Sequence, residues 1–333
     1  MSGAVPPRLA PPRPQVRPVT QTDVRVARSL DEIDAADSVV TIGVFDGVHR
    51  GHRSLLRRAR SQADELGLRS VAVTFDRHPM EVVKPGSQPR YLQHLKHKVS
   101  ALLAEELDLV YVVTFDYDFS QQSAEEFIDH TLAGPIAAKR VIVGSNFRFG
   151  HGAEGDVMVL ADRGEELGFS VEAVTLLEVE GVTISSTEIR DRLERGEVEW
   201  AAEGLGRPHI LEGAVVRGDA RGRTIGFPTA NLEIDDRMQM PANGVYAGHA
   251  VVLGRDGAVH PMVVNVGRRP TFGGEDVTVE AHLLDVDLDL YGEHLAVSFE
   301  HRLRDEVKFD GIDALIAQIQ ADVTKARELL EIA

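Results

Sequence analysis

The chain of 333 residues carries 53 acidic against 36 basic side chains, a formal net charge of −17, and no cysteine. A general nucleic-acid binder needs a basic face, so this balance argues against one, and without cysteine there are no disulfides, thiolate nucleophiles or Cys-ligated zinc. No run approaches the roughly 20 apolar residues of a membrane span and no secretory core opens the chain, so a cytoplasmic protein of about two domains is expected.

Residues 1–22 hold six prolines, three arginines and no acid, which predicts an extended, disordered tail. From residue 39 the pattern alternates. VVTIGVF (39–45) predicts a buried strand, and HRSLLRRARSQADELG (52–67) a helix, with Leu55, Leu56, Ala59, Ala63 and Leu66 at helical spacing and Gly67 as its stop. RSVAVTF (69–75), LVYVVTF (109–115), KRVIVG (139–144) and FSVEAV (169–174) predict further strands, with helical stretches near 94–107, 123–133 and 156–167 between them. Continuous apolar strands alternating with helices imply a doubly wound parallel sheet covered on both faces.

The rhythm breaks at AAEGLGRPH (201–209), read as a linker. Beyond it ILEGAVV, GVYAGHAVVL, HPMVVNV, VTVEAHLLDV and LAVSFEHRL follow without intervening helices, which suggests an antiparallel barrel or sandwich. One helix closes the chain, with Ile312, Leu315, Ile316, Ile319, Val323, Ala326 and Leu329 on a shared face.

GVFDGVHRGH (43–52) sits where a strand passes through a turn into a helix, where free N–H groups and the helix dipole favour an anion. Gly43, Gly47 and Gly51 permit close backbone approach, and His49 and His52, three apart, can face one phosphate and donate to it as charge builds. Zinc ligation by this pair would need a third ligand, and neither HExxH nor a cysteine is present; a purely structural histidine pair is the other alternative. GxGxxG and GxxxxGK[ST] are both absent from this stretch. ISSTEIRDRLERG (184–196) begins another helix. Ser185 with Glu188 fits a capping box, but three consecutive hydroxyls followed by Arg190 also suit a polyphosphate.

In the second half, VVRGDARGRTIGFPTANLEI (215–234) surrounds Arg221 and Arg223 with Gly218, Gly222 and Gly226, which suits a phosphate-enclosing loop as well as a glycine-rich hairpin. Thr229 and Asn231 of PTAN offer hard oxygen donors suited to Mg²⁺. Glu280, in VEAHLL, could by itself be an ordinary solvent-facing strand residue.

GVFDGVHRGH, then VGSNFRFGHGAEGD (143–156), then ISSTEIR resemble the nucleotidyltransferase module of prokaryotic bifunctional riboflavin kinase/FAD synthetases. GDARGRTIGFPTANL, GVYAG, NVGRRPTFGG, VEAHLLDVDLDLYG and LRDEVKF resemble the riboflavin kinase module of the same family, in the same order. FDRHP (75–79) departs from the family's FDPHP, with Arg77 in place of a proline.

The resemblance implies an HxGH-type FMN adenylyltransferase domain over 23–202 and a barrel-shaped riboflavin kinase domain over 203–333. In the first, FMN would attack the α-phosphorus of ATP to give FAD and pyrophosphate. His49 and His52 would act on the ATP phosphates in a site framed by Gly43, Phe45, Asp46, Gly47 and Gly51. Ser185, Ser186, Thr187 and Arg190 would complete the polyphosphate site, with Asn146, Arg148 and Phe149 near adenine and flavin. In the second, riboflavin would be phosphorylated by ATP. Gly218, Arg221, Gly222, Arg223, Thr229 and Asn231 would bind nucleotide, Thr229 and Asn231 also Mg²⁺. Glu280 would be the general base, and Arg304 and Phe309 flavin or nucleotide contacts. The partners implied are small molecules (riboflavin, FMN, FAD and ATP), with neither nucleic acid nor membrane, and a homo-oligomer is compatible with this reading.

Overall fold

The computed structural model describes residues 25–218, 222, 225–255, 257–271, 274–286 and 288–332. The expected tail, Arg221 and Arg223 lie outside the described residues.

The first half is a six-stranded parallel sheet: β1 (Val26–Ala27), β2 (Ser38–Ile42), β3 (Arg69–Phe75), β4 (Leu109–Val113), β5 (Ala138–Gly144) and β6 (Ser170–Val174), in the order β1-β4-β3-β2-β5-β6. Every residue of β2 and β4 is buried, as a strand covered on both faces requires. The connecting helices are α1 (Arg50–Leu66), α2 (Met80–Val83), α3 (Leu95–Leu103), α4 (Tyr117–Ser120), α5 (Ala124–Phe127) and α6 (Val157–Leu167). Gly67 caps α1 in the left-handed conformation, φ 67°. The chain winds from β2 outward to β4, then returns to lay β5 on the other side of β2. The carboxyl ends of β2 and β5 therefore flank the switch point where open α/β sheets bind ligands.

Two expectations change here, and one element is new. The strand predicted over 39–45 stops at Ile42, since Phe45, within the predicted span, takes left-handed backbone, φ 53°, as Val48 does further on, φ 38°. The helix predicted over 123–133 is two pieces, α5 and a π-helical turn over Ile128–Leu132. The short edge strand β1 has too little sequence for a periodic signal.

A small hairpin, β7 (Glu178–Val179) and β8 (Val182–Thr183), leads to helices α7 (Ser186–Glu194) and α8 (Val198–Leu205). Helix α8 takes in residues 201–205, the first part of the stretch expected to be a linker. Trp200, Ala201 and Leu205 of α8 are buried in one continuous cluster with Leu92 and Ile184 of the first half and Leu211, Tyr246 and Phe299 of the second. The Gly and Pro of this stretch signal a linker, but apolar burial across the seam decides the outcome.

The second half closes into a barrel. Its strands are β9 (His209–Val216), β10 (Ala230–Ile234), β11 (Gly244–Leu253), β12 (Val259–Thr271), β13 (Gly274–Leu283), β14 (His294–Phe299) and β15 (His301–Arg304). They run β12-β13-β10-β9-β14-β11, with β11 pairing back onto β12, and β15 continuing β14 along β11. Strand β10 is not among the predicted strands, although Ala230 and Leu232 alternate inward between exposed or half-buried neighbours. Helix α9 (Ile312–Leu329) packs Val323 and Ala326 against Val245, Ala247 and Val263 on the outside of the barrel. Ile312 and Leu329 do not share that buried face; they are 59% and 38% exposed. The face instead buries Asp322, whose carboxylate receives Arg304 at 2.8 Å.

Candidate active sites

At the switch point, the loop between β2 and α1 carries both histidines. His49 is the N-cap of α1: its Nδ1 accepts the His52 amide at 3.3 Å, which assigns the ring proton to Nε2. The two imidazoles stack, centroids 3.5 Å apart, and Phe45 meets His52 edge-on at 5.1 Å. Burial lowers the His49 pKa to about 3, with the Arg190 charge adding to the effect, and burial likewise keeps His52 well below the usual histidine range. Both rings are therefore neutral at pH 7. A cavity of about 190 Å³ opens over them, lined by Gly43, Phe45, His49, Gly51 and His52 from the loop, by Asn146 and Phe147 after β5, and by Ser185 and Ser186 at the start of α7.

The loop is expensive in conformation. Left-handed backbone at non-glycine residues costs on the order of 1–3 kcal/mol each, and Phe45, Val48 and Gly47 (φ 82°) are all left-handed. Buried polar groups hold it from behind. The Asp46 carboxylate accepts the Leu92 amide at 3.1 Å and pairs with Arg190; burial pushes this carboxyl up, and the Arg190 charge opposes that. Ser186 Oγ donates to the Asp46 carbonyl at 2.9 Å. Lys98, 5% exposed, donates Nζ to the Val44 and Phe75 carbonyls at 3.1 and 2.6 Å, and burial lowers its pKa to about 8.

Of the residues singled out in the sequence, Gly43, Phe45, His49, Gly51, His52, Asn146, Ser185 and Ser186 thus meet on one cavity. The others do not line it. Asp46 and Arg190 form the buried pair behind the loop, and Arg190 Nε also donates to the Arg90 carbonyl at 2.6 Å. Gly47 is crowded by protein on its Cβ side: a Cβ there would lie 2.9 Å from Leu92 and 3.1 Å from Leu205. Thr187 is exposed. Arg148 pairs with Asp156 at 3.2 Å, and Phe149 stacks on Phe147 at 5.3 Å within the sheet's hydrophobic cluster. The expected capping box is half formed. Ser185 Oγ accepts the Glu188 amide at 3.1 Å, but the Glu188 carboxylate turns to Arg192 at 2.6 Å. Arg77 pairs with its neighbour Asp76 at 3.0 Å, and His78, whose pKa burial lowers to about 4, accepts the Met80 amide at 3.2 Å.

In the barrel the register does the placing. Asn231 of β10 lies opposite Glu280 of β13, and Glu280 lies opposite Asn265 of β12. Directly opposed residues share a face, so Asn231, Glu280 and Asn265 form one row. Their strand neighbours Ala230, Val264, Val266, Val279 and Ala281 fill the barrel core, so the row stands on the outer face. Gly218 lies against this row: a Cβ on it would come within 2.4 Å of the Asn231 amide nitrogen, so any side chain there would displace Asn231. Gly222 receives the Ile225 and Phe227 amides in a turn at 3.2 and 2.9 Å, with the Thr229 hydroxyl beyond. Thr229 enters a small cavity of about 60 Å³ with Val215, Pro228 and Tyr291. Arg304 is engaged by Asp322 and lies 5.8 Å over the Phe309 ring.

Comparison with known proteins matches these two halves separately. A family model described as FAD synthetase covers residues 31–188, and one described as riboflavin kinase covers residues 205–330. A bifunctional riboflavin kinase/FMN adenylyltransferase of Escherichia coli (strain K12) is 39% identical over 305 residues, 92% of this chain and 96% of the relative. The chain belongs to the bifunctional riboflavin kinase/FMN adenylyltransferase family. Its counterpart of that name from Bacillus subtilis (strain 168) is 35% identical over 88% of this chain and 92% of the relative. A crystal structure described as a macrolide-efflux protein from Streptococcus pneumoniae superposes with a TM-score of 0.82 at 33% identity, covering 91% of this chain and 98% of that one. That description is not shared by the family models or the curated relatives, which agree with one another over both halves. Among the described residues no helix is long and apolar enough to cross a membrane.

For a riboflavin kinase/FMN adenylyltransferase, sequence reasoning missed Phe147, Thr175 and Leu176 on the cavity wall, Lys98 beneath the loop, and Asn265 in the barrel row. Lys98 left a signal, since it is a charge set in the apolar stripe of α3 beside Leu95, Val99 and Leu102. Asn265 opens the NVGRRPTFGG motif, but its place beside Glu280 left no signal without the strand register.

Proposed function

We propose that the cavity over His49 and His52 is where FMN attacks the α-phosphorus of ATP, and that the Asn231–Glu280 row is where riboflavin takes the γ-phosphoryl group. Residues 23–202 would thus carry adenylyl transfer and residues 203–333 phosphorylation. The observation that carries the reading is the stacked histidine pair at the sheet's switch point with the α7 N-terminus across the cavity. His49 keeps a free Nε2–H, and the first amides of α7 have no partner within their helix. These donors are neutral, fixed before substrate arrives and largely shielded from water, the arrangement that stabilises charge as it develops on phosphoryl oxygens. Asp46, Arg190 and Lys98 hold the platform in place. Phe147 and Asn146 wall the side on which the bases and flavin ring would stack.

In the barrel, the Glu280 carboxylate would take the proton of the terminal ribityl hydroxyl as it attacks. The hydroxyl of Thr229 and the amide oxygen of Asn231 are hard donors that fit Mg²⁺, which typically keeps few protein ligands and leans on substrate phosphates. Among the described residues no group of three or more His, Asp or Glu side chains offers a self-sufficient metal cage, so these two would hold the ion together with ATP. When bound, it would neutralise phosphate charge. We further propose a cytoplasmic location, which suits a chain without cysteine; the reading also admits a homo-oligomer.

Incubation with riboflavin, ATP and Mg²⁺, with products resolved over time, tests the proposal. FMN, then FAD, with ADP and pyrophosphate in step, is expected. FMN without FAD would sink the adenylyltransferase assignment, and binding without any product would make the protein a flavin or nucleotide sensor.

A further inference from the structure

The phosphate loop is finished by residues from beyond the matched FAD synthetase segment, which ends at residue 188. Arg207, inside the riboflavin kinase match, donates Nη2 to the Gly47 carbonyl at 3.1 Å and to Gln93 Oε1 at 2.8 Å. Leu205 closes on the same glycine, on its Cβ side together with Leu92. Gly47 precedes Val48 and His49, and its left-handed φ of 82° sets the direction in which the chain enters α1. The other carbonyls of the turn already have partners within the first half: Val44 takes Lys98 and Thr74, and Val48 takes Arg53 at 3.2 Å. Asp46 takes Ser186. Gly47 alone among these is held by the kinase half.

The strap that orients Arg207 is anchored in the barrel as well. Tyr91 donates its amide to the Arg237 carbonyl at 2.7 Å and accepts from the Gln239 amide at 2.8 Å. The next residue, Leu92, binds Asp46, and the one after, Gln93, binds Arg207. Four residues, 90–93, therefore touch the barrel on one side and the catalytic loop on the other.

We infer that Arg207 is a positioning residue for adenylyl transfer: a side chain of the kinase half that fixes the Gly47 peptide and, through it, the His49–His52 platform. This rests on the functional reading above. Arg207 lines neither of the two cavities described above; its contact with the loop is the Gly47 carbonyl, and it acts through Gly47.

Arg207→Met keeps the apolar stem and removes the guanidinium; Arg207→Lys restores one donor. Both reactions are read from the same purified chain, FMN to FAD and riboflavin to FMN. Displacing a catalytic group by about an ångström can cost up to a hundredfold in rate. The expected result for Arg207→Met is a ten- to hundredfold fall in kcat for FAD formation, with KM for FMN moved less than threefold and riboflavin phosphorylation within twofold of the parent chain. Arg207→Lys should recover part of the kcat. Unchanged FAD formation would overturn the inference. So would a parallel fall of both activities, or a KM effect with kcat intact, since each would mean a merely structural contact. If Arg207→Met proves insoluble, Arg207→Lys decides by the same ratio of the two activities. A parent chain that makes no FAD would overturn the functional reading itself, whereas a parent that makes FAD beside an equally active variant overturns only the role of Arg207.

Discussion

In the parallel-sheet half the side chains proposed to react stand on a loop, held from behind by Asp46, Arg190 and Lys98; in the barrel half they stand on strands, and hydrogen-bond register sets Asn231, Glu280 and Asn265 side by side. A loop can bring a helix N-terminus, two imidazoles and close backbone approach to one point, but it must be held in left-handed conformations by many distant partners. A row on a sheet needs only the ladder that the barrel forms anyway. The first site should therefore fail when remote contacts are cut, and the second when its own side chains are changed.

The largest expected effect separates the halves outright. His52→Ala should abolish FAD formation while leaving FMN formation nearly intact, and Glu280→Ala should do the reverse when FMN is supplied, both read by resolving products chromatographically. If either substitution silenced both reactions in a folded chain, the division of labour would be wrong. Next, Arg190→Met would leave the Asp46 carboxylate buried without its partner, a loss of about 3–5 kcal/mol. Urea unfolding followed by circular dichroism should show it, and FAD formation should fall with FMN formation retained. A loss under about 1 kcal/mol would mean that the loop does not depend on this pair. The smallest effect per step is that of a single pH unit, and it spans both halves. Burial lowers His49 to about 3 in the loop and His209 to about 4 in the barrel, against about 6.5 in an unfolded chain. As pH falls below 6.5 the unfolded state takes up protons that the folded state refuses. The stability is thus complete above that pH and is lost on acidification, by about 1.4 kcal/mol per pH unit for each imidazole. Urea midpoints at pH 7 and pH 5 check the sign, and His209→Asn should flatten the slope by one proton's worth. A midpoint that rose on acidification would contradict the burial of both rings.

The same contrast decides which features are legible in the amino-acid sequence alone. The buried parallel strands and α1 announce themselves by unbroken apolar runs and helical spacing, and Arg69–Phe75 and Gly244–Leu253 fall where the pattern predicts. The histidines, Ser185 and Ser186 are visible because their residue types and order are chemically unusual. What stays hidden depends on distant segments meeting. Arg190 reads as a phosphate ligand until the fold hands it Asp46. The 201–209 stretch reads as a linker until Ala201 and Leu205, beside Trp200, find a shared core. Asn265 becomes a neighbour of Glu280 only through a strand register that no local pattern carries.

Lys98 has one more consequence. With a formal charge of −17 the molecule repels a polyphosphate at long range. The Lys98 ammonium beneath the loop is sealed from solvent between two carbonyls, where dissolved ions screen poorly; exposed charges are screened over roughly 8 Å at physiological ionic strength. Added salt should therefore weaken the repulsion and leave the local attraction largely untouched. Nucleotide encounter with this protein should quicken as ionic strength rises, the opposite of an enzyme that gathers its anionic substrate with a basic surface.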